Sequence, residues 1–137
     1  MPPPMLSQFK YESNMWKRLL SFMIDENIHL KGRLVEILTS ISDKNLLKEM
    51  ENFHSKFLKE DELFSLLKSD VAELDKLLIR EIFEDGKIFD EINVKLTRFR
   101  NNIIKAELQF SQLKLEFNNY LLEMLTNRDL EKYLLNN

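Results

Sequence analysis

Two Glu-x-x-His motifs are the residues of this chain whose types and spacing most directly suggest chemistry. They are Glu26 to His29 and Glu51 to His54, and they contain both histidines of the sequence. A Glu and a His one helical turn apart can share a metal ion, and pairs of such motifs on two helices occur in di-iron carboxylate bundles. One hypothesis is therefore a small metal- or ligand-binding helical bundle.

The heptad positions of these motifs weigh against a metal centre. If the neighbouring apolar residues face inward, Glu26 falls at position g and His29 at position c. Glu51 then falls at b and His54 at e, so all four residues lie on the solvent side of the core or at its edge. The inward positions of 88–124 contain no carboxylate to complete a two-metal site. We expect neither a metal nor another cofactor.

A buried polar layer is the second candidate site. Asn27 and Glu60 are polar residues at inward positions of otherwise apolar heptads. A buried carboxylate needs hydrogen-bond partners, because desolvating an unpaired charge costs several kcal/mol. Antiparallel pairing places both residues near the middle of the bundle, and the candidate partners there are Gln109, Gln112 and Lys114. The layer could form a small ligand-binding pocket, but we favour a device that fixes helix register.

Three long amphipathic helices are predicted to position these residues. The stretch Ile88–Met124 carries apolar residues at alternating steps of three and four over about five heptads, as in a helix that packs along a narrow stripe. The same period recurs in 6–41 and 46–78. The predicted order is a disordered proline-rich start at 1–4, helices over about 5–40, 43–84 and 87–125, and a short terminal helix over 128–135.

The predicted fold class is all-α. The 137 residues contain only 2 Gly and 3 Pro, which is too few for the turns of a many-stranded protein. Three helices of similar length with short connections are most simply arranged up-down-up. We therefore predict one domain, 1–137, that forms an elongated antiparallel three-helix bundle with a left-handed, coiled-coil-like packing and a short C-terminal helix.

Composition excludes several functional classes. The net charge is -3, so no broad basic surface is available for nucleic acid. The sequence has no cysteine, and it contains no Gly-rich phosphate loop or nucleophile elbow. We expect no enzymatic activity and no small-molecule substrate. The start of the chain lacks signal-peptide features and no apolar run is long enough to insert in a membrane, so we expect a cytoplasmic protein.

Five stretches of the chain resemble a group of small, uncharacterised bacterial helical proteins. They are Trp16–Phe22, Glu26–Asn27, Leu30–Leu34, Leu66–Leu78 and Leu115–Tyr120. The matching residues are helix-surface and heptad positions, and the likeness covers most of the chain. The group has no assigned activity, so the resemblance implies a bacterial helical bundle and no particular function.

A structural or protein–protein interaction module, without enzymatic activity, is the leading interpretation. The sequence has 10 Phe, more than a narrow bundle easily covers. Phe22, Ile28 and Phe83 lie off the predicted core stripes, and together they are the candidate interaction surface. The expected partner is a second copy of the chain or another protein. The alternative remains the metal- or ligand-binding bundle, built on the two Glu-x-x-His motifs or on the level of Asn27 and Glu60.

Overall fold

The structure is a computed structural model that describes residues 3–84, 86 and 88–136, with side chains described for 5–83, 86, 88–124 and 126. It contains three α-helices: α1 (Pro3–Ser40), α2 (Lys44–Glu84) and α3 (Phe89–Asn136). The described residues include no strand. The predicted all-α three-helix bundle is confirmed.

The beginning of α1 differs from the predicted disordered segment. The helix already includes Pro3 and Pro4, while Met1 and Pro2 lie outside the described residues. Proline is accepted in a first helical turn because its fixed φ is helical and the N–H it lacks would have no intrahelical acceptor there. The run of prolines therefore starts α1 rather than preceding it.

The turn between α1 and α2 is short and closed by side-chain hydrogen bonds. Thr39 Oγ1 donates to the Glu36 carbonyl at 2.7 Å, on the last turn of α1. Asp43 Oδ1 accepts the amide of Asn45 at 2.8 Å and that of Leu46 at 3.4 Å. Asp43 is thus the N-cap of α2, satisfying amides that the helix itself leaves without acceptors.

The turn between α2 and α3 depends on Gly86. Its φ is 88°, in the left-handed region that a side chain disfavours. The amide of Phe89 donates to the Gly86 carbonyl at 3.3 Å. Asp90 and Glu91 then occupy the first turn of α3, where negative charge is favourable. The chain reverses here, and α3 runs back along α2.

The end of α3 requires a correction. We predicted a helix end near residue 125 and a separate short helix over 128–135, with Thr126 and Asn127 between them. Instead α3 continues without a break to Asn136. No Gly or Pro follows Gly86, and Thr and Asn each cost a helix only roughly 0.7 kcal/mol or less relative to Ala. Such a small cost does not end a helix.

All three helices contribute to the buried core. Aromatic side chains lie along its length, and edge-to-face contacts join Phe64 to Phe110 with ring centroids 5.2 Å apart and Phe57 to Phe117 at 5.1 Å. Residue numbers rise along α2 as those of their partners on α3 fall, so α2 and α3 are antiparallel. The region between these two pairs holds Glu60, one of the predicted polar residues.

Gly32→Ala is expected to stabilise the protein. Gly32 lies inside α1, and a Cβ added there would meet nothing within 4 Å. Because glycine costs a helix interior about 1 kcal/mol relative to alanine, we expect the free energy of unfolding in urea to rise by about that amount.

Gly86→Ala is the control for this substitution. It should destabilise the protein, because alanine is strained at the φ of Gly86. A loss of stability in Gly32→Ala would contradict a continuous α1.

Candidate functional site

Asn27 lies fully buried between α1 and α2. Its Nδ2 donates to the Phe57 carbonyl at 3.0 Å and to Asp61 Oδ1 at 2.6 Å. Lys31 Nζ, one turn further along α1, binds the other carboxylate oxygen of Asp61 at 2.5 Å. Among the described residues, Asn27 Oδ1 has no hydrogen-bond partner. The side chain therefore joins α1 to α2 through bonds available in only one alignment.

Glu60 is buried between α2 and α3, with 2% of its surface exposed. Gln109 Nε2 donates to its Oε1 at 2.9 Å. Its Oε2 is buried and has no hydrogen-bond partner in the described part of the chain. Burial raises the pKa of Glu60, and the bond from Gln109 lowers it by less. The protein interior thus favours the neutral carboxylic acid.

Asn27 and Glu60 serve different helix pairs. Asn27 bonds α2 from α1, whereas Glu60 accepts its bond from α3. No hydrogen bond between the two side chains is present among the described residues. The predicted single layer is therefore two adjacent contacts, one from α2 to α1 and one from α2 to α3.

Only one of the three candidate partners binds Glu60, and it is Gln109. Gln112 is exposed and donates to Glu116 on its own helix at 3.3 Å. Lys114 Nζ donates to Glu26 of α1 at 2.9 and 3.0 Å. Lys114 therefore joins α3 to α1.

A second set of polar contacts occupies the other half of the bundle. Ser13 is buried, and its Oγ donates to Asp75 Oδ1 at 2.6 Å. Lys17, one turn along α1, forms an ion pair with the same carboxylate. Arg100 Nε and Nη2 donate to the two carboxylate oxygens of Glu12 at 2.8 and 2.5 Å. This planar two-bond arrangement fixes direction as well as distance.

The two polar sets are equivalent and lie two heptads apart. In each, a small polar residue and a lysine of α1 share one aspartate of α2, and a glutamate of α1 pairs with a cation of α3. The sequence separation between that glutamate and cation is 88 in both sets. The matching residues are Glu12 and Glu26, Ser13 and Asn27, Lys17 and Lys31, Asp75 and Asp61, and Arg100 and Lys114. This recurrence is readable from the sequence, but the stronger apolar period hides it.

The two Glu-x-x-His motifs do not form a metal cluster. His29 and Glu51 are exposed, His54 is half-buried, and Glu26 binds Lys114. Among the residues described, no group of three His, Cys, Asp or Glu side chains is arranged to hold a metal ion. The histidines contribute no site that the geometry identifies.

The three predicted interaction residues are exposed but do not form one patch. Phe22 and Ile28 lie on α1, and Phe83, 83% exposed, lies near the end of α2. The antiparallel register of α1 and α2 places Phe83 near the level of Met5, about 17 residues or roughly 25 Å along α1 from Phe22. A single partner surface must therefore be sought elsewhere.

A regularly spaced row of exposed apolar residues lies on the outer face of α3. We define the apolar stripe as Val94, Leu108, Leu115 and Leu122, which are spaced by multiples of seven residues and are 58–67% exposed. Ile104, also exposed, lies one turn before Leu108. The buried residues of α3 occupy the opposite side of the helix, so α3 is apolar on two faces. A second heptad register within the same helix is the sequence pattern that would identify it.

The fold and these contacts define an all-α three-helix bundle with two polar layers, the two equivalent sets described above, in which Ser13 and Asn27 are buried. No protein-family model, curated protein or solved structure matches the chain. In the described part of the chain, no helix has an apolar run long enough to cross a membrane. Function must therefore be inferred from the geometry alone.

Glu60→Gln is expected to stabilise the protein at neutral and alkaline pH. A carboxyl whose pKa is higher in the folded than in the unfolded protein loses stability as pH rises above its ordinary value of 4.5, because ionisation then opposes folding. Glutamine keeps the acceptor for Gln109 but cannot ionise. We expect the free energy of unfolding to rise near pH 8 and the gain to disappear near pH 4, in urea unfolding followed by circular dichroism.

Glu62→Gln is the matched control, since Glu62 is exposed on the same helix. Its effect should be small at both pH values. Equal pH profiles for the two variants would contradict an energetically distinct Glu60.

Proposed function

We propose that this chain is a non-enzymatic protein–protein interaction module that binds a helical partner through the outer face of α3. The observation that carries the proposal is the apolar stripe. Its seven-residue spacing matches the heptad period at which one helix can contact another along its length. Exposed apolar residues repeated along one helix face, on a protein that already buries a full core, are typical of an interaction site.

The size of the stripe is consistent with specific binding. Burying an exposed leucine contributes about 1.5–3 kcal/mol. Four stripe residues and Ile104 would together contribute on the order of 10 kcal/mol, comparable with the entropic cost of association. Charged and hydrogen-bonding groups at the edges would then set specificity rather than supply most of the affinity.

The two polar layers support a scaffold role. Their carboxylates and cations bond to each other across helices, as in the contacts of Asp61 and of Arg100. These bonds hold α3 in one alignment with α1, so the stripe is presented on a preorganised surface. Preorganisation favours binding because less conformational entropy is lost on association.

Photo-crosslinking from Leu108 tests the proposal. A photoreactive phenylalanine analogue placed at Leu108 in the native cells should give protein adducts, identified by mass spectrometry. The same analogue at Arg33, an exposed position on α1, is the control. Equal adduct yields at the two positions, or none at Leu108, would contradict an interaction site on α3.

Charge insertion into the stripe is expected to abolish these adducts. In Leu108→Lys/Leu115→Lys, a crosslinker placed at Leu122 should give at least about tenfold less adduct, because lysine would have to be desolvated in an apolar contact. Tyr11→Lys/Phe22→Lys introduces the same charge on exposed positions of α1 and should leave the yield unchanged. Circular dichroism would verify that both variants keep their helix content.

A further inference from the structure

The groove between α2 and α3 contains two equivalent clefts that lie two heptads apart. The first has a volume of about 330 Å³, and its charged residues are Asp70 and Glu73 of α2 and Lys95 and Arg98 of α3. At this end of the groove, α2 is therefore acidic and α3 is basic.

The second cleft reverses these signs. Its volume is about 250 Å³, and at its edges α2 supplies Lys56 and Lys59 while α3 supplies Glu116. The buried Glu60 of α2 also lines this cleft. The α2 residues are displaced by two heptads from Asp70 and Glu73. The side-chain charge of each helix thus changes sign along the groove. At each cleft the edge of α2 and the edge of α3 carry opposite charges.

These charges are largely available to a partner. Within the described residues, Asp70, Glu73 and Arg98 make no ion pair within 4.0 Å. Lys95 has one long contact of 3.8 Å with Glu91 on its own helix. The charges at the first cleft therefore form no ion pair across the groove within the described residues, in contrast to those of the two polar layers.

An apolar centre separates the two clefts. Leu66 of α2 is 59% exposed and borders the first cleft. The contact between Phe64 and Phe110 fixes the register of the two antiparallel helices. Leu66 lies two residues after Phe64, and Leu108 lies two residues before Phe110. One exposed leucine from each helix therefore stands at the same level, and Leu108 also belongs to the apolar stripe.

We infer that the partner is a second copy of this chain, docked on the α2/α3 face about a two-fold axis near the level of Leu66, with equivalent helices antiparallel. This inference rests on the proposed interaction function and names its partner. In this arrangement Lys59 faces the second copy's Asp70, and Lys56 faces its Glu73. Leu66 and Leu108 of both copies meet at the axis, as the self-complementary patch of a two-fold dimer requires.

The charges of α3 fit this axis less closely. Antiparallel pairing of α3 with its symmetry mate brings Lys95 and Arg98 toward the second copy's Glu116. The midpoint between Lys95 and Glu116 lies about four residues, or roughly 6 Å, from the level set by the α2 charges. The charges of α2 therefore set the position of the axis.

A parallel arrangement explains less of the pattern. If the two copies lay parallel, α2 would face α3 of the second copy, and opposite charges on the two helices at each level would suffice. The change of sign along each helix would then have no role. Only antiparallel pairing of equivalent helices requires this change of sign. In that arrangement the basic part of α2 must meet the acidic part of α2 in the second copy.

The test uses two reciprocal charge reversals in the full-length chain. Lys56→Glu/Lys59→Glu makes the α2 edge acidic throughout, and Asp70→Lys/Glu73→Lys makes it basic throughout. Sedimentation equilibrium should show that the wild type dimerises and that each variant alone dimerises about tenfold more weakly or worse, because like charges meet. An equimolar mixture of the variants should restore dimerisation as a heterodimer.

A control variant separates the position of the charges from their number. Lys10→Glu/Arg18→Glu changes net charge as much as the first variant, on exposed positions of α1. It should dimerise like the wild type. Circular dichroism of every variant would verify folding, and the reversed residues are at or near the surface.

Three results would overturn the inference. A wild type that is monomeric at every concentration would exclude the second copy, and Leu108 adducts with a different protein would then leave the proposed function standing. A dimer that resists both charge reversals but is lost in Leu108→Lys/Leu115→Lys would use another part of α3. Failure of the mixed variants to form a heterodimer would exclude the antiparallel axis.

Discussion

The alignment of three long helices depends on hydrogen bonds between half-buried carboxylates and the polar side chains that face them from a neighbouring helix. Apolar heptads pack almost equally well after a shift of seven residues, since Leu, Ile and Phe tolerate many neighbours. Asn27 does not, because a shift would separate its Nδ2 from both the Phe57 carbonyl and Asp61. Arg100 imposes the same restriction on α3 through its paired bonds to Glu12. Hydrophobic burial stabilises the bundle, and the polar layers determine which register of the three helices is adopted.

The helix α3 has one apolar side that packs in the core and a second apolar side that faces solvent. On its inner side the helix supplies Phe110 and Phe117 to the core, and their contacts with α2 are closed to solvent. On its outer side the apolar stripe repeats with the same period but has no partner within the described part of the chain. A helix with two apolar faces is stable in water only at the cost of exposed hydrocarbon. Contact with a partner would remove that cost.

The sequence predicted the helices better than the contacts between them. Regular heptads located α1, α2 and the start of α3, and they placed Asn27 and Glu60 on inward positions. Neither the choice of Gln109 over Gln112 nor the pairing of Lys114 with Glu26 could be read from the period. Those depend on side-chain reach across a groove, which differs by one helical turn between alternatives. The continuous α3 was missed because Thr126 and Asn127 look like a stop although their helix penalties are small.

The two-heptad spacing of the polar layers has a consequence for folding kinetics. If α3 slides by one heptad against α1, Arg100 comes opposite Leu19 and Lys114 opposite Arg33, so both native ion pairs are lost. A slide by two heptads in the same direction brings Arg100 opposite Glu26, and the same slide in the other direction brings Lys114 opposite Glu12, so one ion pair forms again in either case. The competing alignments are thus reduced to two dominant kinetic traps, each displaced by about 21 Å from the native register.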